Sequence, residues 1–540
     1  MTTDLIQYFP NFAQIPDEYR LGGERHQRQW LVGGNLEIWD GACKPVYSPV
    51  WLRGDDGVPA PVCIGSYPDM GELQSDKALD AAVAAYDNGR GEWPTMPVAG
   101  RIQSMERFVV AMMHRRRDVV NLLMWEIGKS AADSGKEFDR TIDYVRATID
   151  ALKEMDNSHS RFTVVERTIG QVRRTPLGVV LCMGPYNYPL NETFCTLIPA
   201  LLMGNTVVLK PPQYGTLLFE PLLEAFRDCF PPGVVNTIYA PGDVVVPRML
   251  ASGKVNVLAL IGSSRVADHL KKQHPKSHRL RAVLGLDAKN AAIVLPGADL
   301  ELAVQECVSG ALSFNGQRCT ALKMLMVHRS VVDEFLQRLT HAVDCLKVGM
   351  PWEDGVQITP LPGPHRTRYM TEALEDACAR GAHIVNEGGG DFYGTLYRPA
   401  IVYPVCDGMK LYREEQFGPL VPVMTFDDVE EAMQYVITSD HGQQVSVFGS
   451  DPIQIGGLVD SLVNQVCRVN INTQCQRGPD VFPFGGRKDS AEGTLSVSDA
   501  LRAFSIRSMV ATRASTSNKE LINKIVSGHY STFVSTGFIL

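Results

Sequence analysis

The chain has 540 residues, of which 45% are hydrophobic and 21% are charged, with a formal net charge of −8. A chain of this length is too long to fold around one hydrophobic core, and its composition is that of an ordinary globular protein. We therefore expect two or three domains. The negative charge and the lack of a long basic run argue against nucleic acid as a partner, and no apolar stretch reaches the ~18 residues of a membrane helix.

The amino-terminal segment has no basic region followed by an apolar one, which argues against a secretion signal. The twelve cysteines show no paired spacing, which is typical of reduced thiols and not of a disulfide framework. No CxxC or HExxH pattern occurs, so no metal site is predicted. Together these features predict a cytoplasmic protein without a membrane partner.

Residues 1–60 are predicted to be an irregular extension, with loop signals such as Gly54-Asp55-Asp56-Gly57. Apolar residues at helical spacing predict helices over 76–115 and 119–152, the second one broken near Gly128 and Gly135.

The alternating segment Val164–Arg174 predicts a strand, and the apolar run 176–184, closed by Gly-Pro, predicts a buried parallel strand. Strand-like and helical runs alternate from there to residue 272, as in a doubly wound α/β domain. The pattern restarts after Leu284, so we predict two α/β lobes, with these boundaries: cofactor-binding domain 61–285, catalytic domain 286–475 and carboxyl-terminal segment 476–540.

Three segments contain candidate catalytic residues. Cys319 lies in Phe314–Thr320, Asn187 lies in the upstream run Gly184–Pro189, and Glu415 opens the downstream run Glu415–Pro419. A thiolate can attack an aldehyde carbonyl, and an asparagine amide can donate a hydrogen bond to the resulting oxyanion. The residues therefore predict acyl chemistry at Cys319.

In order and spacing, these segments resemble the aldehyde dehydrogenase superfamily, from about residue 40 to 510. The resemblance implies an α/β fold of two doubly wound lobes plus a small β oligomerisation arm, here near 164–174 and 503–510. It also implies a homodimer or homotetramer, and NAD(P)-dependent oxidation of an aldehyde through a cysteine thioester.

The dinucleotide fingerprint GxGxxG is absent, but the strand-like run 257–261 ends in Gly262-Ser263 before a helix. Helix amides at such a turn can bind a phosphate, although Gly-Ser before a helix is more often a plain cap. The resemblance implies that this turn contacts the pyrophosphate of the cofactor, and that Glu415 and Phe417 lie on the nicotinamide side.

The resemblance also implies that Lys210 and Gly242 contact the cofactor, with Lys210 on the adenosine ribose. NAD-preferring relatives commonly carry a glutamate where this chain has Gln213. A glutamine does not repel a 2′-phosphate, so NADP is the predicted cofactor, with NAD as the alternative.

Within the superfamily, the non-phosphorylating glyceraldehyde-3-phosphate dehydrogenases are most similar. The resemblance implies that Tyr188, Arg140, Arg318 and Arg477 hold a substrate phosphate. Guanidinium groups suit this task because their donors match phosphate oxygens. In the alternative interpretation, each arginine forms a salt bridge at the surface.

The chain departs from the family at Gly285, where relatives carry the glutamate base. In an extended segment Asp287 lies on the same face, ~6–7 Å along the chain, and is our candidate for the base. Two alternatives are that Asp287 only orders the backbone and that Glu415 is the base.

The residues and the resemblance together leave three functions open. The first is irreversible NADP-dependent oxidation of glyceraldehyde 3-phosphate to 3-phosphoglycerate. The second, suggested by Gly285, is transfer of the acyl group to coenzyme A. The third is a catalytically weakened relative that serves as a binding protein, against which the presence of Cys319, Asn187 and Lys210 argues.

Overall fold

Short apolar runs form the strands of two mainly parallel sheets in the computed structural model, which describes residues 3–537. The strands in chain order are β1 (Arg25–His26), β2 (Gln29–Val32), β3 (Asn35–Ile38), β4 (Cys43–Arg53), β5 (Pro59–Pro68), β6 (Thr163–Val165), β7 (Thr168–Pro176), β8 (Val179–Met183), β9 (Thr206–Lys210), β10 (Val235–Thr237), β11 (Val257–Ile261), β12 (Arg281–Gly285), β13 (Asn290–Val294), β14 (Leu322–His328), β15 (His383–Ile384), β16 (Phe392–Tyr393), β17 (Leu396–Tyr397), β18 (Ala400–Tyr403), β19 (Leu420–Phe426), β20 (His441–Gly442), β21 (Gln444–Phe448), β22 (Arg468–Ile471), β23 (Arg487–Lys488), β24 (Ala491–Glu492) and β25 (Ser505–Arg513).

Eighteen α-helices lie among residues 3–537. In chain order they are α1 (Thr3–Ile6), α2 (Glu72–Tyr86), α3 (Glu92–Thr95), α4 (Val98–Met113), α5 (Arg116–Ile127), α6 (Ala131–His159), α7 (Asn191–Leu202), α8 (Leu223–Cys229), α9 (Gly242–Ala251), α10 (Ser264–Lys271), α11 (Leu300–Leu312), α12 (Val332–Asp344), α13 (Pro364–Ala379), α14 (Lys410–Arg413), α15 (Val429–Thr438), α16 (Pro452–Leu462), α17 (Val497–Ala503) and α18 (Thr516–Ser527).

The first lobe contains a six-stranded sheet in the order β10-β9-β8-β11-β12-β24. Its first five strands are parallel, and β8, which lies near the centre, is buried along its whole length. The chain runs outward from β8 to β10 and then returns to β11 on the other side of β8. Loops diverge at such a switch point and leave a crevice at the carboxyl ends of the strands, where open α/β sheets bind ligands.

The second lobe contains a seven-stranded sheet in the order β15-β18-β19-β14-β13-β21-β22, parallel except for the β15–β18 pair. Its two faces pack into separate apolar cores. The predicted pair of doubly wound lobes is therefore confirmed.

An antiparallel sheet of three strands, β25-β7-β6, forms the predicted arm. Strand β7 pairs with β25 from Thr168↔Arg513 to Pro176↔Ser505. The segments at 164–174 and 503–510 therefore pair with each other, although they lie far apart in the sequence.

The prediction that residues 1–60 are irregular is wrong for residues 25–53. Strand β4 pairs antiparallel with β5, and β2 pairs with β3. Prolines 45 and 49 gave β4 the composition of a loop, but the β4–β5 register shifts on either side of Tyr47 and Ser48 accommodate them. The loop signal at 54–57 is correct, since it lies between β4 and β5.

The predicted helix break at Gly128 is confirmed, because this residue ends α5 with φ of 68°. The predicted break at Gly135 is wrong, since α6 continues through it. A Cβ at Gly135 would lie 3.2 Å from the guanidinium of Arg116, so the glycine permits a close contact between α5 and α6 within a regular helix.

The carboxyl-terminal segment returns to the first lobe. Strand β24 pairs antiparallel with β12, and α17 packs against α6 and α7. Helix α18 lies beyond the resemblance and has no buried residue. Among residues 3–537, no helix is both long enough and apolar enough to cross a membrane.

Candidate active site

A cavity of about 1210 Å³ lies between the carboxyl ends of β8, β11 and β12 and the second lobe. Eleven of the predicted site residues line it: Arg140, Asn187, Tyr188, Gly262, Ser263, Asp287, Arg318, Cys319, Glu415, Phe417 and Arg477. The structure thus brings the predicted nucleophile, the oxyanion donor and the arginines into one cavity.

A left-handed turn after α11 presents the nucleophile. Phe314, Asn315 and Gly316 all have positive φ, and the side chain of Asn315 exchanges hydrogen bonds with the backbone of Thr359. At Gly316 a Cβ would lie 2.6 Å from the carbonyl oxygen of Gly418, so only glycine fits there. The turn therefore holds the chain rigidly before Cys319.

The electrostatics of the cavity leave Cys319 protonated at rest. Burial raises the pKa of its thiol to about 11, and the charges of Glu192 and Glu415 act in the same direction. Arg477 and a hydrogen bond with Gln443 lower it only in part. Because the thiolate is the nucleophile, the thiol proton must leave before the sulfur attacks the aldehyde.

Asn187 reaches the loop of the nucleophile. It is 5% exposed, and its Nδ2 donates a hydrogen bond of 2.7 Å to the carbonyl oxygen of Gln317. The amide is thus held two residues from Cys319, and its second N–H is the candidate oxyanion donor.

A buried ion pair that the sequence analysis missed supports Asn187. Lys129 is fully buried and donates hydrogen bonds to Glu137 and, at 2.8 Å, to the carbonyl oxygen of Asn187. Burial lowers the pKa of Lys129. The Glu137 carboxylate in turn accepts from the backbone amides of Leu190 and Asn191, each at 3.1 Å. No sequence pattern distinguishes these two residues from surface charges.

At one end of the cavity, two of the predicted phosphate-binding arginines have carboxylate partners. Arg140 donates two hydrogen bonds to Asp480, at 2.9 and 2.7 Å. Arg477 donates to Glu192, and its Nε lies 3.4 Å from Asp480. Burial opposes the charge of Arg477, but the nearby carboxylates outweigh it and raise its pKa.

Neither carboxylate was predicted as a site residue, although Asp480 stands only three positions after Arg477. The alternative interpretation, a salt bridge at the surface, does not hold for Arg477, because the side chains of Arg477 and Glu192 are only 5% and 9% exposed.

The third arginine, Arg318, is not paired with a carboxylate in the described part of the chain. Its guanidinium donates to the carbonyl oxygens of Ser309 and Gly310, at 3.1 and 2.8 Å, near the carboxyl end of α11. Three guanidinium groups and two carboxylates leave this end of the cavity with about one net positive charge.

The turn after β11 forms the other end of the cavity. Ser263 caps α10, and Ser264 donates from its amide and its hydroxyl to Oδ2 of Asp287, at 2.8 and 2.7 Å. Asp287 therefore lines the cavity as predicted, but its carboxylate is engaged at the start of α10. This contact favours the alternative in which Asp287 orders the backbone.

Glu415 and Phe417 meet a buried lysine that the sequence analysis missed. The Nζ atom of Lys323 lies 3.8 Å from Oε1 of Glu415 and 4.6 Å from the centre of the Phe417 ring. Burial raises the pKa of Glu415 to about 7 and lowers that of Lys323 to about 8. Both groups therefore titrate near neutral pH.

The remaining predicted cofactor residues lie outside the lining of the cavity. Lys210 ends β9, and its Cε lies 3.4 Å from the position of a Cβ at Gly242, the first residue of α9. Burial lowers the pKa of Lys210 to about 8. Gln213 is exposed. The glycine opens space above an ammonium group beside a helix amino terminus, an arrangement that fits an anionic nucleotide.

Residues 59–510 match the model of the aldehyde dehydrogenase family. The chain is similar to the NADP-dependent glyceraldehyde-3-phosphate dehydrogenase of Streptococcus equinus, with 33% identity over 82% of this chain and 91% of the relative. It is also similar to malonate-semialdehyde dehydrogenase 3 of Geobacillus kaustophilus, with 29% identity over 82% and 92%. Among solved structures, the NADP-dependent glyceraldehyde-3-phosphate dehydrogenase of Bacillus halodurans, complexed with NADP, has a TM-score of 0.81 and 28% identity over 91% of this chain and all of that one.

Proposed function

The chain belongs to the aldehyde dehydrogenase family, and we propose that it oxidises an aldehyde with a terminal anionic group, foremost glyceraldehyde 3-phosphate, to the carboxylic acid with NADP. The observation that supports this proposal is that one cavity contains Cys319 between its two ends. Three arginines lie at one end, and the cap of α10 with Glu415 and Phe417 lies at the other.

In this reaction the Sγ atom of Cys319 releases its proton to solvent water and bonds to the aldehyde carbon. The carbonyl oxygen becomes an oxyanion, to which Nδ2 of Asn187 and the amide of Cys319 donate hydrogen bonds. Bound NADP would supply the hydride acceptor that converts the thiohemiacetal to a thioester. Water then cleaves the thioester, which releases the acid and restores the thiol.

Several residues of this chain suit NADP. Lys210 and Gly242 lie together beside the first turn of α9, and Ser263 lies at the first turn of α10. Gln213 carries no charge that would oppose a 2′-phosphate. The relatives named as NADP-dependent support the same cofactor.

Binding of a substrate phosphate is supported by the hydrogen-bond donors that lie together at the arginine end of the cavity. Arg318 has the most available charge, because its partners are backbone carbonyls. Its Nε atom is buried and has no hydrogen-bond partner among the described residues. Tyr188, beside Asn187, lines the same end.

A second candidate substrate is an aldehyde with a carboxylate group, such as a short semialdehyde. Glu192 and Asp480 already neutralise much of the charge of Arg477 and Arg140. A net charge near +1 matches a monoanion better than a phosphate, which carries about −1.5 to −2 at pH 7.

The test is formation of reduced cofactor by the purified protein with glyceraldehyde 3-phosphate, malonate semialdehyde and an uncharged aldehyde. Each aldehyde is assayed with NADP and with NAD, in the presence and absence of coenzyme A. The proposal expects the highest kcat/KM with NADP and an anionic aldehyde, without any need for coenzyme A. A strict requirement for coenzyme A would replace it with acyl transfer, and no turnover with any aldehyde would leave a binding role.

We also propose that the β25-β7-β6 sheet joins copies of the chain in a homodimer or homotetramer. Its strands expose apolar side chains, among them Val164, Val165 and Met509, at 61%, 61% and 57%. The twelve free thiols support a cytoplasmic location. Light scattering of the protein after size-exclusion chromatography tests the assembly, and a monomer would contradict it.

A further inference from the structure

We propose that Glu415 is the general base that activates water for hydrolysis of the Cys319 thioester. This role rests on the proposed function, because it requires an acyl group on Cys319. It supplies a base for the hydrolysis step, which Gly285 cannot provide because glycine has no side chain.

Gly285 cannot supply the base, and neither can its surroundings. It ends β12 and lines the cavity, but a Cβ placed there would face the apolar side chains of Ile261 and Leu495, at 3.5–3.7 Å. Those side chains have no group that accepts a proton. The base must therefore come from another wall of the same cavity.

Glu415 has a carboxylate oxygen that is available. Its side chain is 11% exposed and lines the cavity with Cys319. Oε1 is buried and accepts no hydrogen bond from the described residues, although Nζ of Lys323 lies 3.8 Å away. A buried acceptor without a donor carries a cost in free energy, which a bound water molecule would relieve.

The surroundings give this carboxylate the basicity that the step requires. Burial raises the pKa of Glu415 to about 7, and the charge of Asp287 adds to this effect, whereas Lys323, the amide of Ala288 and Lys289 lower it. The other titratable groups that interact with it are Cys319, Tyr186 and Tyr369. A general base works best when its pKa lies near the working pH.

Three other bases that line the cavity are engaged or weak. Asp287 accepts two hydrogen bonds from Ser264. Glu192 accepts from Arg477 in a buried ion pair. Burial lowers the pKa of His441 from its usual 6.5, which makes it a weaker proton acceptor.

A water oxygen bonds to the acyl carbon while one of its protons passes to Glu415. The bond between that carbon and Sγ then breaks, and its electron pair stays on sulfur. Glu415 returns the proton to Sγ, and the acid product loses its remaining proton to solvent. Cys319 is a thiol again, in keeping with its raised pKa.

The test needs no cofactor, because p-nitrophenyl acetate acylates a cysteine directly. With Glu415→Gln, we expect one equivalent of nitrophenolate per active site in the burst, followed by steady-state hydrolysis about 100-fold slower than in the parent protein. Intact-mass spectrometry should detect the accumulated acetyl-enzyme. The matched control is Glu414→Gln, the exposed neighbouring carboxylate, which should hydrolyse the ester at the parental rate.

The pH dependence gives a second readout. The base acts when ionised, so parental hydrolysis should rise with pH and level off above about 7. Glu415→Gln should lose this inflection, and Gly285→Glu in the same chain should restore part of the rate. Steady-state hydrolysis by Glu415→Gln at the parental rate would overturn the proposal, and so would loss of the burst. Failure of the proposed function looks different, since the parent would then cleave the ester but oxidise no aldehyde.

Discussion

Replacing Glu192 with glutamine tests how the cavity selects the charge of its substrate. In the folded protein the Glu192 carboxylate neutralises Arg477, and both side chains are almost fully buried, at 9% and 5% exposure. Glutamine keeps an oxygen that accepts from the guanidinium but removes the negative charge. Arg477 retains Asp480 as a charged partner at 3.4 Å, so the variant leaves no isolated buried cation.

The magnitude follows from Coulomb's law. An anion bound on the free side of the Arg477 guanidinium would lie about 7 Å from the Glu192 carboxylate, and an effective dielectric constant of about 20 gives about 2.4 kcal/mol per unit of charge. A phosphate carries roughly one charge more than a carboxylate at neutral pH. Glu192→Gln should therefore raise kcat/KM for a phosphorylated aldehyde, relative to a carboxylated one, by roughly 50-fold.

The assay compares kcat/KM for glyceraldehyde 3-phosphate and malonate semialdehyde by formation of reduced cofactor. Inorganic phosphate as a competitive inhibitor provides a second measurement, and its inhibition constant should fall in the same variant. The matched control is Glu224→Gln, which removes a carboxylate from an exposed ion pair with Arg115 on the surface. If the ratio of the two specificity constants and the phosphate inhibition both stay within ~3-fold of the parent, Arg477 does not read the anionic group.

Three further substitutions test other parts of the site. Cys319→Ser should abolish aldehyde oxidation yet leave NADP binding intact, because a hydroxyl is a far poorer nucleophile; substantial turnover by this variant would remove Cys319 from the mechanism. Gln213→Glu should shift the ratio of kcat/KM values from NADP toward NAD by ~10-fold or more, and an unchanged ratio would mean that another residue reads the ribose. Asp287→Asn should keep ester hydrolysis within ~3-fold of the parent, because the carboxylate caps α10 through Ser264; in a rapid-quench assay, a normal burst followed by ~100-fold slower hydrolysis would instead restore Asp287 as the base.

Much of the fold could be predicted from local patterns. The buried strands β8, β9, β11 and β13 are short apolar runs, and the alternation of strands with helices indicated two doubly wound lobes. Among the amino-terminal strands that were missed, β4 contains Pro45 and Pro49, which give it the composition of a loop. Pairing with β5 and two shifts in register accommodate them, and neither is visible in one segment alone.

The sequence by itself also identified several of the chemical groups that the site contains, because Cys319, Asn187 and the arginines stand in distinctive local runs. Only the tertiary structure decided their charge states and partners. Arg477 meets Glu192 across 285 positions, and Arg140 meets Asp480 across 340. The burial that raises the pKa of Glu415 likewise comes from several elements that surround its side chain. Residue type and spacing are local properties of the chain, whereas ion pairing and desolvation depend on distances that exist only after the lobes have packed together.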